Sequence, residues 1–507
     1  MEVFAGFDIG TSSAKVVLVS TDGRIVATSA SAVHAHSPAA GQLEEDPGDW
    51  WAALRSALAA ARAAAPSDTT IAAIGLSGHM SGLVILDARC RPLRPSMLLA
   101  DVRGAEEAAG MPESLRARIV QQTGNQPSEV FTLAKLLWVM AHERDLLDRA
   151  AWVISPKDYL LCRLTGEVST EPADAGNFLL LEAAAPRWDQ ELVKSLRLPQ
   201  RLFPPLCVSA EKAGGLSSAA AQELGIPPGI PVVAGAADMA CAAVGSGILA
   251  EGEAAISLGT ASPLIMPVEG IEPALVGKLT FHPHAIAGRR YALASILSGG
   301  RSYQWLATLL GDGGNTGIDL PSLDAIAARA PAGCGGVLFL PFLTGSASPD
   351  WHTNARAAWV GMGTSSGLPE LSRAVLEGVA FNSRECITLC STHGTPITRL
   401  VASGGGARSR LWQAILADVT GLPVRALGTA EASALGAAIL AAVGYGAFSS
   451  IEEAAAAMVS LGETVSPDAP RAALYDRSYE GYLLAKRQLL SLDDAMTALR
   501  GKGVSAR

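Results

Sequence analysis

The sequence predicts an α/β protein built from two similar halves, and three observations carry that prediction. Short β-branched or alternating runs are followed repeatedly by stretches with helical spacing of apolar residues. The run Asp8-Ile9-Gly10-Thr11-Ser12-Ser13 has a counterpart about 250 residues further on, Ser257-Leu258-Gly259-Thr260-Ala261-Ser262. Each is an apolar strand entering a Gly-Thr-x-Ser hairpin. Finally, 507 residues at 49% hydrophobic and 17% charged are long enough for more than one core and ordinary for globular chains.

Taken in order, residues 3–8, 14–20 and 24–29 read as strands, with turns at Gly10-Thr11-Ser12 and Asp22-Gly23. Asp46-Pro47 announces a helix that carries Trp50, Trp51, Leu54 and Leu58 on one face. Strands are expected over 71–76 and 83–87. The apolar stretch 231–250 has the length of a membrane span, but Asp238 sits at its middle and it is made largely of Gly and Ala. A tightly packed buried segment is therefore expected, and no membrane partner. Small residues cluster at 245–252, which places a boundary between domains 1–246 and 247–507, with a cleft between them. The second domain opens with strands at 253–258 and 263–267. Later, 401–408 reads as a strand running into Gly404-Gly405-Gly406, followed by a helix over 411–420.

A net charge of −9 without a basic run excludes nucleic acid as a partner. Seven cysteines, an odd number without a CxxC pair, read as free thiols in a reducing compartment. The opening residues lack the charged and apolar regions of a secretory leader, so a cytoplasmic protein is expected. No Walker A motif and no GxGxxG follow a strand, and Gly75-Leu76-Ser77-Gly78-His79 lacks the last glycine of a nucleophile elbow. His282 and His284, without a third ligand nearby, read as structural.

What remains points to phosphate chemistry. Glycine in a tight hairpin lets backbone N–H groups point outward, and Thr11, Ser12 and Ser13 add hydroxyl donors; such a concavity suits phosphate oxygens. Asp8 lies at the strand end, where a carboxylate could hold Mg²⁺ through water, with Lys15 nearby. The three glycines at 404–406 enter a helix, the setting of an anion site, though a plain strand-to-helix turn is the alternative. Asp238 follows an apolar strand among small residues. A carboxylate so placed either accepts a proton or caps the helix that begins beside it.

These segments resemble the FGGY carbohydrate kinases, which share their fold with actin, hexokinase and Hsp70. The resemblance rests on Asp8 to Lys15, on Asp46-Pro47-Gly48-Asp49-Trp50-Trp51, on Lys135-Leu136-Leu137-Trp138 and Pro156-Lys157-Asp158-Tyr159-Leu160, and on Leu164 to Glu167 with Asp174-Ala175. It continues through residues 360–377 and Gly404 to Ser409 with Trp412, covering nearly the whole chain in order. Within the family the motifs are most similar to those of the xylulokinases. The resemblance implies two ribonuclease H-like domains flanking a catalytic cleft, with ATP and Mg²⁺ as cofactors and a small sugar as substrate. It implies Asp238 as general base and Asp8 as the Mg²⁺-phosphate residue. Thr11, Ser12, Ser13, Lys15, Gly259 and Thr260 would then face the phosphates, and Gly404, Gly405, Gly406 and Arg408 the rest of the nucleotide. It also makes a homodimer the assembly to test.

The departures fall on the sugar side. Where xylulokinases carry Gly-Gln-Met-His-Gly, this chain has Gly78-His79-Met80-Ser81-Gly82. The Asn after the base is Met239, Trp-Asn-Asp-Gly-Arg becomes Leu99-Ala100-Asp101-Val102-Arg103, and Gly-Glu-Arg-Thr-Pro becomes Gly345-Ser346-Ala347-Ser348-Pro349. Met80, Ser81, His79, Asp101, Arg103 and Met239 are the implied sugar contacts. D-xylulose is the leading substrate, with ribulose, erythritol, glycerol or gluconate as alternatives. An actin- or Hsp70-like ATPase and a sugar-binding protein without catalysis are the rival classes.

Overall fold

The computed structural model describes residues 1–182, 185–311 and 317–500. Three antiparallel strands open the chain: β1 (Glu2–Ile9), β2 (Ser13–Val19) and β3 (Ile25–Ala32), the last running three residues beyond the predicted end. β1 is buried along nearly its whole length, as expected of a central strand covered on both faces, whereas β3 alternates at the edge. Helix α1 (Pro47–Ala64) follows as predicted: the Asp46 side chain accepts from the Gly48 N–H at 2.7 Å, and Trp50, Leu54, Leu58 and Ala61 form its buried stripe. β4 (Thr70–Gly78) then pairs in parallel with β1, bringing Ser77 opposite Asp8. Helix α2 (Pro156–Thr165), strands β5 (Lys212–Gly215) and β6 (Pro231–Val233), and helix α3 (Asp238–Gly245) complete the half. The sheet order is β3-β2-β1-β4-β6-β5, with the two-residue strand Ala236–Ala237 extending the pairing on β4.

The second half repeats the plan. β7 (Glu253–Ser257), β8 (Leu264–Val268), β9 (Thr280–Pro283) and β10 (Arg290–Ala294) are antiparallel neighbours, and β11 (Arg399–Ser403) joins β7 in parallel. β12 (Val424–Leu427) and β13 (Leu461–Val465) finish a seven-stranded sheet ordered β9-β10-β8-β7-β11-β12-β13. Ser403 stands opposite Ser257 as Ser77 stands opposite Asp8. The Gly-Thr repeat seen in the sequence is thus one turn of a repeated sheet, the architecture expected of two ribonuclease H-like domains. The helix predicted over 411–420 is α4 (Arg410–Thr420), capped by Ser409, and Gly405–Arg408 form a short 3₁₀ turn before it.

The segment 231–250 is the buried one expected, split into strands and α3, and among the described residues no helix is long and apolar enough to cross a membrane. Its partner is α5 (Ala432–Tyr445), which belongs to the second half yet lies on the first sheet. The two meet backbone to backbone. A Cβ on Gly6 would stand 1.8 Å from the Ala434 carbonyl oxygen, one on Gly75 1.9 Å from that of Ala437, and one on Gly245 2.0 Å from that of Ala432.

One expectation is corrected. Cys90 and Cys162, with Cα atoms 6.3 Å apart, are joined as a disulfide, while Cys207, Cys241, Cys334, Cys386 and Cys390 are free. The two lie 72 residues apart, on a turn after the Val84–Leu86 strand and on α2, so only tertiary folding brings them together.

Candidate active site

Between the halves, a cavity of about 100 Å³ is lined by Asp8, Lys15 and Met239 from the first half and by Ser257, Ser403 and Glu431 from the second. Asp8 is buried and accepts a hydrogen bond from the Ser77 hydroxyl at 2.7 Å. Burial pushes its carboxyl up, against the opposing pull of the Lys15 ammonium and the Ser77 hydroxyl. Lys15, directly across the β1–β2 hairpin from Asp8, reaches Glu431 with Nζ 2.6 Å from Oε2. One ion pair therefore spans the cleft.

Asp238 is the first residue of α3, and its Oδ1 accepts from the Met239 N–H at 2.8 Å. The helix-start geometry considered from sequence is real, and the residue is half-buried rather than enclosed. Burial first, and the Asp8 carboxylate second, push it up to about 7, while the N–H groups of Met239 and Met80 pull the other way. A carboxyl poised near neutrality beside an open cleft can accept a proton and release it again.

The segments flanking the two hairpins contribute Asp8 and Lys15, and Ser257 and Pro263, to the cavity lining. Thr11, Ser12 and Thr260 are exposed, and Ser13 and Gly259 half-buried. The Gly259 carbonyl accepts from the Gly300 N–H at 2.8 Å, and it is Gly300 that has no room, since a Cβ there would stand 2.3 Å from that carbonyl oxygen. The glycine run has a structural part and an open part. Gly404 has φ +78° against Leu258, and a Cβ on Gly406 would stand 2.5 Å from the Trp412 ring, whereas Gly405 has nothing within 4 Å and faces outward. Arg408 is exposed beside it.

On the sugar side, the sequence-derived residues divide. Met239 is half-buried beside Asp238 and lines the cavity. Met80 and Ser81 are buried; Ser81 takes φ +65°, and its hydroxyl donates to Asn177 Oδ1 at 3.1 Å. Asp101 is fully buried and holds the Arg103 guanidinium at 2.6–3.0 Å as well as the Leu43 N–H at 2.8 Å. Arg103 also pairs with Glu44 and lies over the Trp138 ring at 5.0 Å. Burial raises the Asp101 carboxyl, but its bonds to Arg103 and Leu43 outweigh that and hold it low. His79 turns inward: only 3% is exposed, its ring meets Trp50 edge-on at 5.4 Å, and neither ring nitrogen reaches the open cleft.

Sequence reasoning gave no role to a buried charge cluster behind Asp238. Lys157 Nζ lies 2.6 Å from Asp158 and 3.4 Å from Asp174, and Glu171 accepts from the N–H groups of Ala173 and Asp174 and from the Ser209 hydroxyl. Burial works against the Lys157 charge, yet the three carboxylates keep its ammonium up. The signal was present in the Pro156-Lys157-Asp158 and Asp174-Ala175 motifs, but spacing does not say that they converge. His282 and His284 are both buried, and His282 stacks on Tyr291 at 5.4 Å.

The comparison with known proteins now has a geometry to meet. The model of the FGGY family of carbohydrate kinases, N-terminal domain, matches residues 3–245, and that of the C-terminal domain matches residues 254–445. The chain belongs to the FGGY family of carbohydrate kinases. It is 31% identical to the xylulose kinase of Bacillus subtilis over 501 residues, covering 99% of this chain and 100% of that one. It is also 31% identical to the glycerol kinase of Thermus brockianus over 471 residues, covering 89% and 91%. The crystal structure of xylulose kinase from Rhodospirillum rubrum superposes with a TM-score of 0.86 at 31% identity, over 97% of this chain and all of the other. The protein is thus an ATP-dependent sugar kinase on the actin/hexokinase-type fold. Relatives named for xylulose and for glycerol leave its sugar open.

Proposed function

We propose that this FGGY kinase transfers the γ-phosphoryl of ATP to a hydroxyl of a small sugar, D-xylulose giving D-xylulose 5-phosphate being the first candidate. The observation that carries the reading is Asp238, a half-buried carboxyl raised to about 7 by burial and by the nearby Asp8, which lines the cleft. In this reading Asp238 takes the proton of the attacking hydroxyl. Asp8, oriented by Ser77, would hold Mg²⁺; one carboxylate completed by phosphate and water suits that ion, which keeps its hydration shell readily. Bound there, Mg²⁺ supplies charge neutralisation on the transferring phosphate. The hairpins with Thr11, Ser12, Ser13, Gly259 and Thr260 cradle the phosphates. Lys15 exchanges its Glu431 partner for phosphate oxygens, and the loop Gly404 to Gly406, with Arg408, flanks the base of the nucleotide. Phosphoryl transfer asks for positioning, charge neutralisation and a base, and these residues supply each.

The sugar-side wall would come from Met80, Ser81 and Met239, backed by the Asp101–Arg103 pair. The Ser81 hydroxyl is already engaged by Asn177, and Met239 offers no hydrogen bond, so the wall is less polar than the sequence pattern of xylulokinases. That observation supports a second reading, a different ketose or polyol such as ribulose, erythritol or glycerol, or the sugar acid gluconate. ADP release by the full chain with MgATP, without sugar and with each of these compounds, tests both. Stimulation chiefly by D-xylulose supports the first reading; chiefly by another sugar, the second. No stimulation by any overturns both.

A further inference from the structure

At the base of the Met80–Ser81 turn, three polar atoms are buried without a hydrogen-bond partner among the described residues: Oε1 of Glu45 and both ring nitrogens of His79. The structure brings them together. Glu45 lies in the two-residue strand Glu44–Glu45, wholly buried, with Oε2 accepting from Trp50 Nε1 at 2.5 Å. His79 Nε2 stands 3.8 Å from that same Oε2, just beyond hydrogen-bond length, and the same indole packs against the imidazole. Buried polar groups of this kind are rarely left unmatched.

The backbone at these positions leads directly to the reacting centre. The His79 N–H donates to the Ile9 carbonyl at 2.7 Å, one residue beyond Asp8. The next N–H, that of Met80, is directed at the Asp238 carboxyl. Ser81 then takes its left-handed conformation, and Gly82 lies so close that a Cβ there would stand 3.2 Å from His79 Cε1. Whatever fixes the imidazole therefore fixes the amide that faces Asp238.

We propose that Glu45 and His79 form a neutral pair, the Glu45 carboxyl O–H directed at His79 Nε2 across the 3.8 Å that separates Oε2 from it, which locks the 79–82 turn and holds the Met80 amide against Asp238. Both are positioning residues for the base and for the sugar-side wall, and neither touches substrate. The inference rests on the reading of Asp238 as base.

The electrostatics agree with the geometry. Burial holds Glu45 up to about 7, opposed by the Trp50 N–H and aided by Asp49, and burial holds His79 down to about 4. Between those values the carboxyl carries the proton and the imidazole carries none. The charged group that acts on the pair from a neighbouring element is Asp49 on α1, and α2 lies behind it with Lys157 and Tyr159. Lys157 is occupied by Asp158, and Tyr159 meets the far side of Trp50 at 6.2 Å. The pair's charge is thus set by its own two members.

The test uses the full chain with Glu45→Ala, His79→Ala and Glu45→Gln. The glutamine amide can donate to the imidazole as the protonated carboxyl does. Glu45→Ala and His79→Ala are expected to raise the sugar KM about tenfold or more while the KM for MgATP moves less than about twofold. Glu45→Gln should restore the sugar KM and hold it constant above pH 7, where the wild-type carboxyl ionises and the sugar KM rises. A Glu45→Gln variant as impaired as Glu45→Ala, or alanine variants with an unchanged sugar KM, would overturn the pairing. ¹⁵N-histidine NMR of the wild type decides independently of any sugar: His79 should stay neutral with Nε2 as acceptor down to about pH 5, and an ordinary midpoint near 6.5 refutes it. If the wild type shows no sugar-stimulated ADP release, the kinase reading fails while the NMR titration still decides the pair.

Discussion

Replacing Gly75 by alanine places the sharpest demand on this fold. The new Cβ would stand 1.9 Å from the Ala437 carbonyl oxygen and 2.7 Å from the carbon bearing it, both backbone atoms of α5. Ordinary contact begins near 3.4 Å, so strand and helix must separate by about 1.5 Å. Rotamer changes cannot relieve a clash between backbone and Cβ. The cost is therefore expected at the top of the usual range for overpacking, about 3 kcal/mol. The separation also has a functional price, because β4 carries Ser77 toward Asp8 while α5 begins beside Glu431, the partner of Lys15. A displacement of about 1 Å between reacting groups can cost about 10²-fold in rate. Urea unfolding followed by fluorescence, together with kcat, measures both. Gly363→Ala, with nothing within 4 Å of its Cβ, is the control and should stay within about 0.5 kcal/mol. If Gly75→Ala unfolds at the wild-type urea midpoint with wild-type kcat, the backbone-to-backbone packing of α5 on the first sheet is refuted.

Three further outcomes are expected. With Asp238 raised to about 7, kcat should climb as pH rises from 5 through 7 and then level; Asp238→Asn should lose turnover while still binding nucleotide, and a flat wild-type profile would refute the role of the base. Burial lowers His282 to about 3 and His284 to about 4, so their contribution to stability is present above the unfolded value of about 6.5 and lost as pH falls toward those values. Thermal melting should therefore weaken from pH 7 to pH 5, and His282→Phe should reduce that slope. Ser77→Ala removes a 2.7 Å hydrogen bond to the Asp8 carboxylate, a bond type worth about 1.5–3 kcal/mol, and should raise the Mg²⁺ concentration needed for half-maximal activity about tenfold or more.

Local chemistry explains which features were readable before the structure. The β1–β2 hairpin, the Asp46 cap and the glycine turns depend on residues within a few positions of one another, so pattern and propensity suffice. Asp238 was conspicuous because a carboxylate among Gly and Ala has few excuses. Long-range convergence is different. Nothing near Cys90 points to Cys162, and Glu45 sits in a strand of two residues whose partner, Ser96, is 51 residues away. His79 looked like a sugar contact because loop alternation allows it; the packing of Trp50 turned it inward. The charge cluster around Lys157 draws on α2, on residues 171–174 and on the Ala234 carbonyl, a meeting only tertiary structure arranges.

The glycine run at 404–406 has a consequence for changing this enzyme. Two of its members are committed, one by backbone conformation and one by the Trp412 ring, and altering either disturbs the fold. Gly405 carries no such obligation. A side chain introduced there would extend into open space along the edge that the nucleotide is proposed to occupy. It is accordingly the place where selectivity among purine triphosphates can be written by adding atoms, with the rest of the loop left as it stands.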